Sequence, residues 1–232
     1  MATDLYLIRH GEAVANVEPI IGGMSGDPGL TERGREQAGR LKERLRREGL
    51  RADALYTSTM PRARETAAYV EEALGLPAVG DDEWHELRPG EADGLTVAEW
   101  EERFGGREFL AGGDPFRPFS PGGESLATFL RRVSGALAGL VTRHPDQTVV
   151  VVCHGGVLSG AFHHAFGLDH TAGQVSFAPR NTSITHWRHE PAEDGGPARW
   201  TLVTFNDAAH LAAPDRGETE REAVPTPMAD AG

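Results

Sequence analysis

The residues Thr148–Cys153, with the sequence Thr-Val-Val-Val-Val-Cys, constrain the fold more than any other stretch of this chain. A run of β-branched residues favours an extended strand, and the absence of alternation between apolar and polar side chains indicates that both faces are buried. A strand buried on both faces is typical of a parallel sheet covered by helices on each side. The run therefore predicts an α/β fold with this strand near its centre.

Short apolar stretches and amphipathic stretches alternate along the rest of the chain. We predict strands at residues 5–8 and 54–57, helices at 31–48, 59–75, 96–104, 124–143 and from 155 to about 166, and a terminal hairpin at 182–188 and 200–205. Because strands alternate with helices, we expect a three-layer sandwich in which a mostly parallel central sheet has helices on both faces.

Composition narrows the classes of function. With 35 acidic and 23 basic residues the formal net charge is −12, which argues against sequence-independent binding of nucleic acid. The single cysteine, Cys153, argues against a disulfide framework and a multi-cysteine metal site. No apolar run approaches the ~20 residues of a membrane span, and the N-terminus has no signal-peptide core. We therefore expect a cytoplasmic protein that does not bind membranes.

The length of 232 residues is typical of one domain, which we place at residues 1–211. Residues 212–232 are acidic and contain Pro225 and Pro227, a composition typical of a disordered tail. The sequence leaves a homodimer open, because an exposed sheet edge or an apolar loop can support one.

Chemically active residues follow the predicted strands. Arg9 and His10 follow the first strand, Ser58 follows the second, and His154 follows the Thr148–Cys153 strand. Ligands in sheets of this kind bind at the carboxyl ends of the strands, so we expect these segments to meet at one rim. A neutral imidazole can attack phosphorus, and an arginine can bind two phosphate oxygens at once.

Further groups complete a set suited to phosphoryl transfer. Gly11 lets the backbone approach a ligand, and a helix that begins at Gly155 would direct its amides at an anion. Arg62 lies in the first turn of a predicted helix, and Glu86 lies in a loop where it can serve as a general acid. Taken alone, the Arg9–Glu12 segment and Arg62 are better explained by ordinary structural roles, and His154 and Glu86 are also compatible with such roles. Together they suit phosphoryl transfer without a metal or a cofactor.

The ordered set of motifs resembles the histidine phosphatase superfamily, in its phosphoglycerate-mutase-like branch. The motifs are Arg9-His10-Gly11-Glu12 with Asn16, residues 27–34, residues 58–66, Glu86 with Gly90 and Gly94, residues 121–125, and His154-Gly155-Gly156. The resemblance covers residues 5 to about 211 in the expected order and implies the phosphoglycerate-mutase-like fold. Two positions depart from the family pattern, since Ala13 and Ala92 stand where a hydroxyl residue and an aromatic residue are usual.

The resemblance implies a role for each site residue. His10 would become phosphohistidine, Arg9, Arg62 and His154 would surround the phosphoryl group, and Asn16, Gly11 and Gly155 would contact the substrate. Glu86 would protonate the leaving oxygen and then activate water. Glu91 and Asp93 are the competing choices for this acid.

The implied activity is hydrolysis of a small phosphorylated substrate. A cofactor-dependent phosphoglycerate mutase and a non-catalytic protein that binds phosphorylated ligands are the alternatives. A cysteine-dependent phosphatase is excluded, because position 159, six residues after Cys153, is serine rather than arginine. The sequence leaves open whether aromatic side chains line the substrate entrance or cover the sheet. These are Trp84, Phe104, Phe109, Phe116 and Phe119.

Overall fold

The computed structural model describes residues 2–106, 114–168, 177–192 and 197–212. Its strands are β1 (Thr3–Arg9), β2 (Ala54–Thr57), β3 (Val79–Gly80), β4 (Thr148–Cys153), β5 (Ile184–Glu190) and β6 (Arg199–Asp207). Its helices are α1 (Val14–Val17), α2 (Glu32–Glu48), α3 (Pro61–Leu74), α4 (Val97–Phe104), α5 (Leu126–Arg143) and α6 (Gly155–Phe166), with single 3₁₀ turns at Asp82–Trp84, Gly90–Ala92 and Ala209–Leu211.

The six strands form one mixed sheet in the order β3-β2-β4-β1-β5-β6. The pairs β3–β2, β2–β4 and β4–β1 are parallel, whereas β5 and β6 add an antiparallel hairpin at one side. The prediction of a mostly parallel sheet is thus confirmed. The predicted turn of the hairpin includes residues 193–196, which lie outside the described residues.

Strand β4 shows why both faces of the sheet are covered. Val149 and Val151 pack with α5 and α6, whereas Val150 and Val152 pack with α2 and α3. All four valines have no exposed surface. The unbroken β-branched run therefore supplies a core to each side, and the predicted three-layer sandwich is confirmed.

The ends of the helices follow from local sequence. The Thr31 hydroxyl accepts a hydrogen bond from the Gly34 amide at the start of α2, and Gly49 ends that helix in the left-handed conformation with φ of 66°. Helix α5 begins at Leu126, two residues after the predicted start, because Ser125 is its N-cap. Strand β3 lies between the predicted elements and was not predicted, because two residues are too few to show a periodicity.

The parallel strands place three chain segments at the same edge of the sheet. Arg9 at the end of β1 pairs with Cys153 at the end of β4, and Thr57 at the end of β2 pairs with Val152. The expected convergence of the strand ends is therefore confirmed. The predicted tail begins at residue 212, and residues 213–232 lie outside the described residues. In the part of the chain that the structure describes, no helix is long and apolar enough to span a membrane.

Candidate active site

His10 lies directly after β1 with only 2% of its surface exposed. Its Nδ1 lies 2.6 Å from the carbonyl oxygen of Gly11, which can only accept, so Nδ1 carries the ring proton. Its Nε2 lies 3.1 Å from Nε of Arg62, which can only donate, so Nε2 presents its lone pair. Burial, followed by the positive charges of Arg62 and Arg9, holds the pKa of His10 well below its usual range. The imidazole is therefore neutral, as a nucleophile requires.

His154 faces His10 from the end of β4, with the ring centres 5.1 Å apart. The same Arg62 Nε lies 3.2 Å from His154 Nδ1, so one N–H is shared between the two rings. His154 Nε2 then donates to the Ser58 hydroxyl at 2.8 Å. Burial and the Arg62 charge hold the pKa of His154 well below its usual range. The two histidines and the arginine thus form one buried cluster.

Asp27 fixes the Arg62 guanidinium. Its Oδ2 accepts from Arg62 Nη1 at 2.9 Å and from the Arg62 main-chain amide at 3.2 Å, and its Oδ1 accepts from the Gly29 amide. The Asp27 side chain has no exposed surface, and the Arg62 side chain is only 6% exposed. The Gly22 carbonyl accepts a further bond from Nη1 at 2.9 Å. The guanidinium is therefore held by groups that leave its Nε directed at the two histidines.

Arg9 directly precedes His10, and the segment before β5 holds its side chain. Its Nη1 donates to the carbonyl of Pro179 at 2.6 Å, and the residue is 4% exposed. The Thr182 amide donates to the carbonyls of both Arg9 and His10, at 3.0 and 3.2 Å. The segment before β5 therefore fixes the backbone on which the predicted nucleophile stands.

Glu86 sits over the first turn of α6. Its Oε2 accepts from the Gly156 amide at 2.9 Å and its Oε1 accepts from the Leu87 amide at 3.0 Å. A Cβ atom on residue 156 would collide with the Glu86 carboxylate, so glycine is required there for this contact. Arg132 binds the Glu86 carbonyl from the other side at 3.2 Å. Glu86 is thus held at the turn that directly follows His154.

The three residues predicted to contact substrate have different surroundings. Gly155 lies close to the Arg9 guanidinium, so its amide is near the charge cluster. Gly11 donates its amide to Thr66 Oγ1 at 3.0 Å and contributes to the site through the carbonyl that orients His10. Asn16 is exposed, and its side-chain oxygen accepts from the Ala13 amide at 2.9 Å.

The two competing carboxylates are placed differently from Glu86. Glu91 is exposed, and among the described residues no hydrogen bond joins it to the histidine cluster. Asp93 accepts three main-chain hydrogen bonds, from Gly23, Ser25 and Gly26. Of the three carboxylates, Glu86 is the one bound to the turn that follows His154.

Sequence reasoning assigned no catalytic role to Asp27, Thr66 and Asn181. Thr66 Oγ1 donates to the Arg62 carbonyl at 2.8 Å while accepting from Gly11, so it joins the two predicted catalytic segments. Asn181 Nδ2 donates to the His10 carbonyl at 3.1 Å. The available signals were the positions of Asp27 in the motif at residues 27–34 and of Thr66 in the motif at residues 58–66.

Two of the five aromatic side chains considered for the entrance, Trp84 and Phe119, have structural surroundings, and Phe104 is partly buried. Trp84 has no exposed surface and belongs to the core under α5 and α6. Phe119 stacks on Trp100 with ring centres 4.2 Å apart. Phe116 is 70% exposed, and Phe109 lies outside the described residues.

The described residues contain no cluster of three or more histidine, cysteine or acidic side chains that could hold a metal ion. Burial raises the pKa of the Cys153 thiol, which is the opposite of what a thiolate nucleophile needs. The groups that the structure brings together at the rim are a neutral imidazole, two buried guanidinium groups and a carboxylate.

Comparison with known proteins gives consistent matches along the chain. A family model described as "Histidine phosphatase superfamily (branch 1)" matches residues 5–208. The chain is 32% identical over 220 residues to the probable phosphoglycerate mutase GpmB of Klebsiella pneumoniae, covering 94% of this chain and 99% of that protein. It is 35% identical over 167 residues to phosphoserine phosphatase 1 of Hydrogenobacter thermophilus, covering 71% of this chain and 77% of that protein.

A solved structure confirms the architecture. The native structure of a mycobacterial glucosyl-3-phosphoglycerate phosphatase superposes with a TM-score of 0.74 at 27% identity, covering 89% of this chain and 99% of that one. The predicted α/β fold of the phosphoglycerate-mutase-like branch is therefore confirmed.

Proposed function

The chain belongs to the histidine phosphatase superfamily, and on that premise we propose that it hydrolyses small phosphate monoesters through a phosphohistidine on His10. The observation that carries this assignment is the state of the His10 ring. Its Nδ1 proton is bound by the Gly11 carbonyl, and its Nε2 lone pair points at Arg62. A nucleophile toward phosphorus and a phosphate-binding cation are thus 3.1 Å apart.

In the first step, His10 Nε2 attacks phosphorus and the bond between phosphorus and the ester oxygen breaks. Arg62 and Arg9 balance the charge on the phosphoryl oxygens, and His154 contributes a further contact. Glu86 gives its proton to the departing oxygen, so the product leaves as an alcohol. The Gly155 amide and Asn16 are proposed to contact the bound substrate.

In the second step, a water molecule attacks the phosphorus of the phosphohistidine. The Glu86 carboxylate, now without its proton, takes a proton from this water, and the bond between phosphorus and His10 Nε2 breaks. The products are inorganic phosphate and the original neutral imidazole, so the cycle is complete without a metal or an organic cofactor.

Two relatives act on phosphoserine and glucosyl-3-phosphoglycerate, according to their names. These support a small phosphorylated metabolite as substrate. The relative that is a probable phosphoglycerate mutase supports a second candidate, in which the phosphoryl group passes from the phosphohistidine to another hydroxyl instead of to water. Both candidates use the same first step and differ in the acceptor.

Hydrolysis of p-nitrophenyl phosphate tests the proposal, with EDTA present throughout. Wild type should release nitrophenol, and His10→Ala should lose at least roughly 1,000-fold in kcat. His186→Asn is the matched control, because His186 lies in β5 and pairs with Asp4, away from the rim. A rapid quench into mild alkali should trap one phosphoryl group per wild-type chain and none in His10→Ala.

Three results would contradict hydrolysis through His10. Equal activity in wild type and His10→Ala would remove the residue from its role. Phosphoenzyme that isomerises phosphoglycerate without releasing phosphate would identify a mutase. Phosphate binding without turnover or phosphoenzyme would identify a non-catalytic binding protein.

A further inference from the structure

Asp93 is surrounded by main-chain amides of a distant loop. Its Oδ1 accepts from Gly23 and Gly26, both at 2.9 Å, and its Oδ2 accepts from Ser25 at 2.8 Å. Three N–H donors on one carboxylate make a compact, charge-assisted anchor. The anchored loop comprises residues 22–26 and precedes Asp93 by about 70 residues in the chain.

The anchored loop is bound tightly against its support. A Cβ atom on residue 23 would lie 2.6 Å from the Asp93 carboxylate and from the Pro89 ring, which is closer than such atoms approach. The Gly94 amide donates to the Ile21 carbonyl at 2.9 Å, and the Ile21 amide donates to Leu95 at 2.8 Å. The segments 21–26 and 93–95 therefore form one unit.

One contact of this unit with the active site is made by the Gly22 carbonyl, and Asp27, which follows the loop directly, makes another. The Gly22 carbonyl accepts from Arg62 Nη1 at 2.9 Å, beside the bond that the same nitrogen makes to Asp27. A shift of the loop would therefore turn the guanidinium whose Nε faces His10 and His154.

We infer that Asp93 is a positioning residue, which orients Arg62 for phosphoryl binding by fixing the loop that carries the Gly22 carbonyl. The inference rests on the proposed role of Arg62 as a phosphate ligand. It also gives the two carboxylates separate places, because Asp93 binds the amides of residues 23–26, whereas Glu86 binds the amide of Gly156 at the turn after His154.

The experiment measures the Kd for inorganic phosphate by calorimetry, in wild type and in Asp93→Asn. The variant keeps the side-chain shape but places an NH₂ group against amide donors, so its loop should loosen and the Kd should rise about fivefold. Gly23→Ala, which displaces the same loop without changing charge, should raise the Kd in the same direction. Glu91→Gln is the matched control, because its exposed carboxylate lies two residues away.

A double-mutant cycle separates positioning from general destabilisation. In an Arg62→Lys background, which has no Nη1, Asp93→Asn should change the Kd for phosphate by less than about twofold. An unchanged Kd in Asp93→Asn and Gly23→Ala, an equal rise in Glu91→Gln, or an undiminished effect in the Arg62→Lys background would overturn the inference.

Measurements of turnover provide the last part of the test. With saturating substrate, the loss of kcat in Asp93→Asn should be the same for aryl and alkyl phosphates, since the proton donor is intact. A loss confined to alkyl phosphates would make Asp93 the acid and overturn the inference. Because phosphate binding is measured without turnover, a wild-type protein that binds phosphate but hydrolyses nothing would refute the proposed function while still testing Asp93.

Discussion

Histidines make buried hydrogen bonds at both ends of the central sheet, but the partners are opposite in kind. At the carboxyl end of the parallel strands, His10 Nε2 meets Arg62, which can only donate. At the other end, His186 Nε2 lies 2.6 Å from Asp4 Oδ1, which can only accept when ionised. His10 must therefore present a lone pair, whereas His186 must present a proton.

The difference shows that the partner, rather than the imidazole, decides what a buried histidine can do. Burial, together with the cation beside His10, lowers the pKa of the ring and keeps it neutral, and in the proposed function that cation binds the phosphoryl oxygens. The carboxylate of Asp4 accepts a hydrogen bond from the His186 N–H. Arg188 binds the same carboxylate. Within the described residues, the carboxyl end of the sheet places a neutral imidazole beside a buried guanidinium, which is the combination that the proposed function requires.

Substitution of Glu86 should give the largest difference in activity between variants at the two ends of the sheet. We expect Glu86→Gln to lower kcat roughly 100- to 10,000-fold for alkyl phosphates, because their leaving oxygen needs a proton. The loss should be much smaller in the first step with p-nitrophenyl phosphate, whose leaving group departs without one. Burst kinetics on both substrates measure the difference, and Asp4→Asn should leave both rates near wild type.

An equal loss of the first-step rate for both leaving groups would show that Glu86 supports the fold of the site instead of donating a proton. In that case the carboxylate that binds the Gly156 amide would be a positioning group.

The second comparison sets Asp27 against Asp4, since each carboxylate anchors basic side chains at its own end of the sheet. Asp27→Asn weakens the contacts to Arg62 Nη1, so we expect kcat/KM for p-nitrophenyl phosphate to fall about 10- to 100-fold. Asp4→Asn should change the unfolding midpoint in urea but change kcat/KM less than about twofold. Equal effects on kcat/KM would contradict the separation of the two ends.

The smallest effect concerns stability and pH. Burial beside Arg62 and Arg9 holds the pKa of His10 well below its usual range, so folding excludes a proton that the unfolded chain binds below about pH 6.5. The free energy of unfolding therefore falls as the pH falls from 7.5 to 5. His10→Asn removes this group, and its free energy of unfolding should therefore fall less than that of wild type over the same interval.

Urea unfolding of wild type and His10→Asn at pH 7.5, 6 and 5 measures this difference. His186→Asn serves as the control for the loss of a histidine at the other end of the sheet. Parallel pH dependences in wild type and His10→Asn would show that His10 accepts a proton in the folded state, which contradicts the assignment of a neutral nucleophile.

Much of the fold was predictable because it depends on short-range patterns. The β-branched run at Thr148–Cys153 must be covered by an apolar layer on each face, independently of the rest of the sequence. In the structure, β4 contributes side chains to a core on each side of the sheet. Strand β3 and helix α1 were not predicted, since two and four residues show no usable periodicity. Their positions depend on neighbouring segments.

The site likewise has a part that the sequence predicted and a part that it did not. The ordered motifs led to His10, Arg9, Arg62, His154 and Glu86, and the structure brings four of them around one buried cluster with Glu86 at its edge. Their catalytic roles remain predictions. No pattern of spacing indicated that Thr66 joins Arg62 to Gly11, because one hydroxyl between two segments leaves no periodic trace.

The amino-acid sequence alone determined the layers of the sandwich and the kinds of chemical group at the strand ends, because burial periodicity and residue type are local properties. Only the tertiary structure decided which nitrogen of His10 keeps its proton, and that Asp27 and Asp93 serve the Arg62 guanidinium directly and through a loop. Proton positions and guanidinium orientation depend on donors and acceptors that meet across long chain separations. Their energies arise only when folding brings those groups within hydrogen-bonding distance.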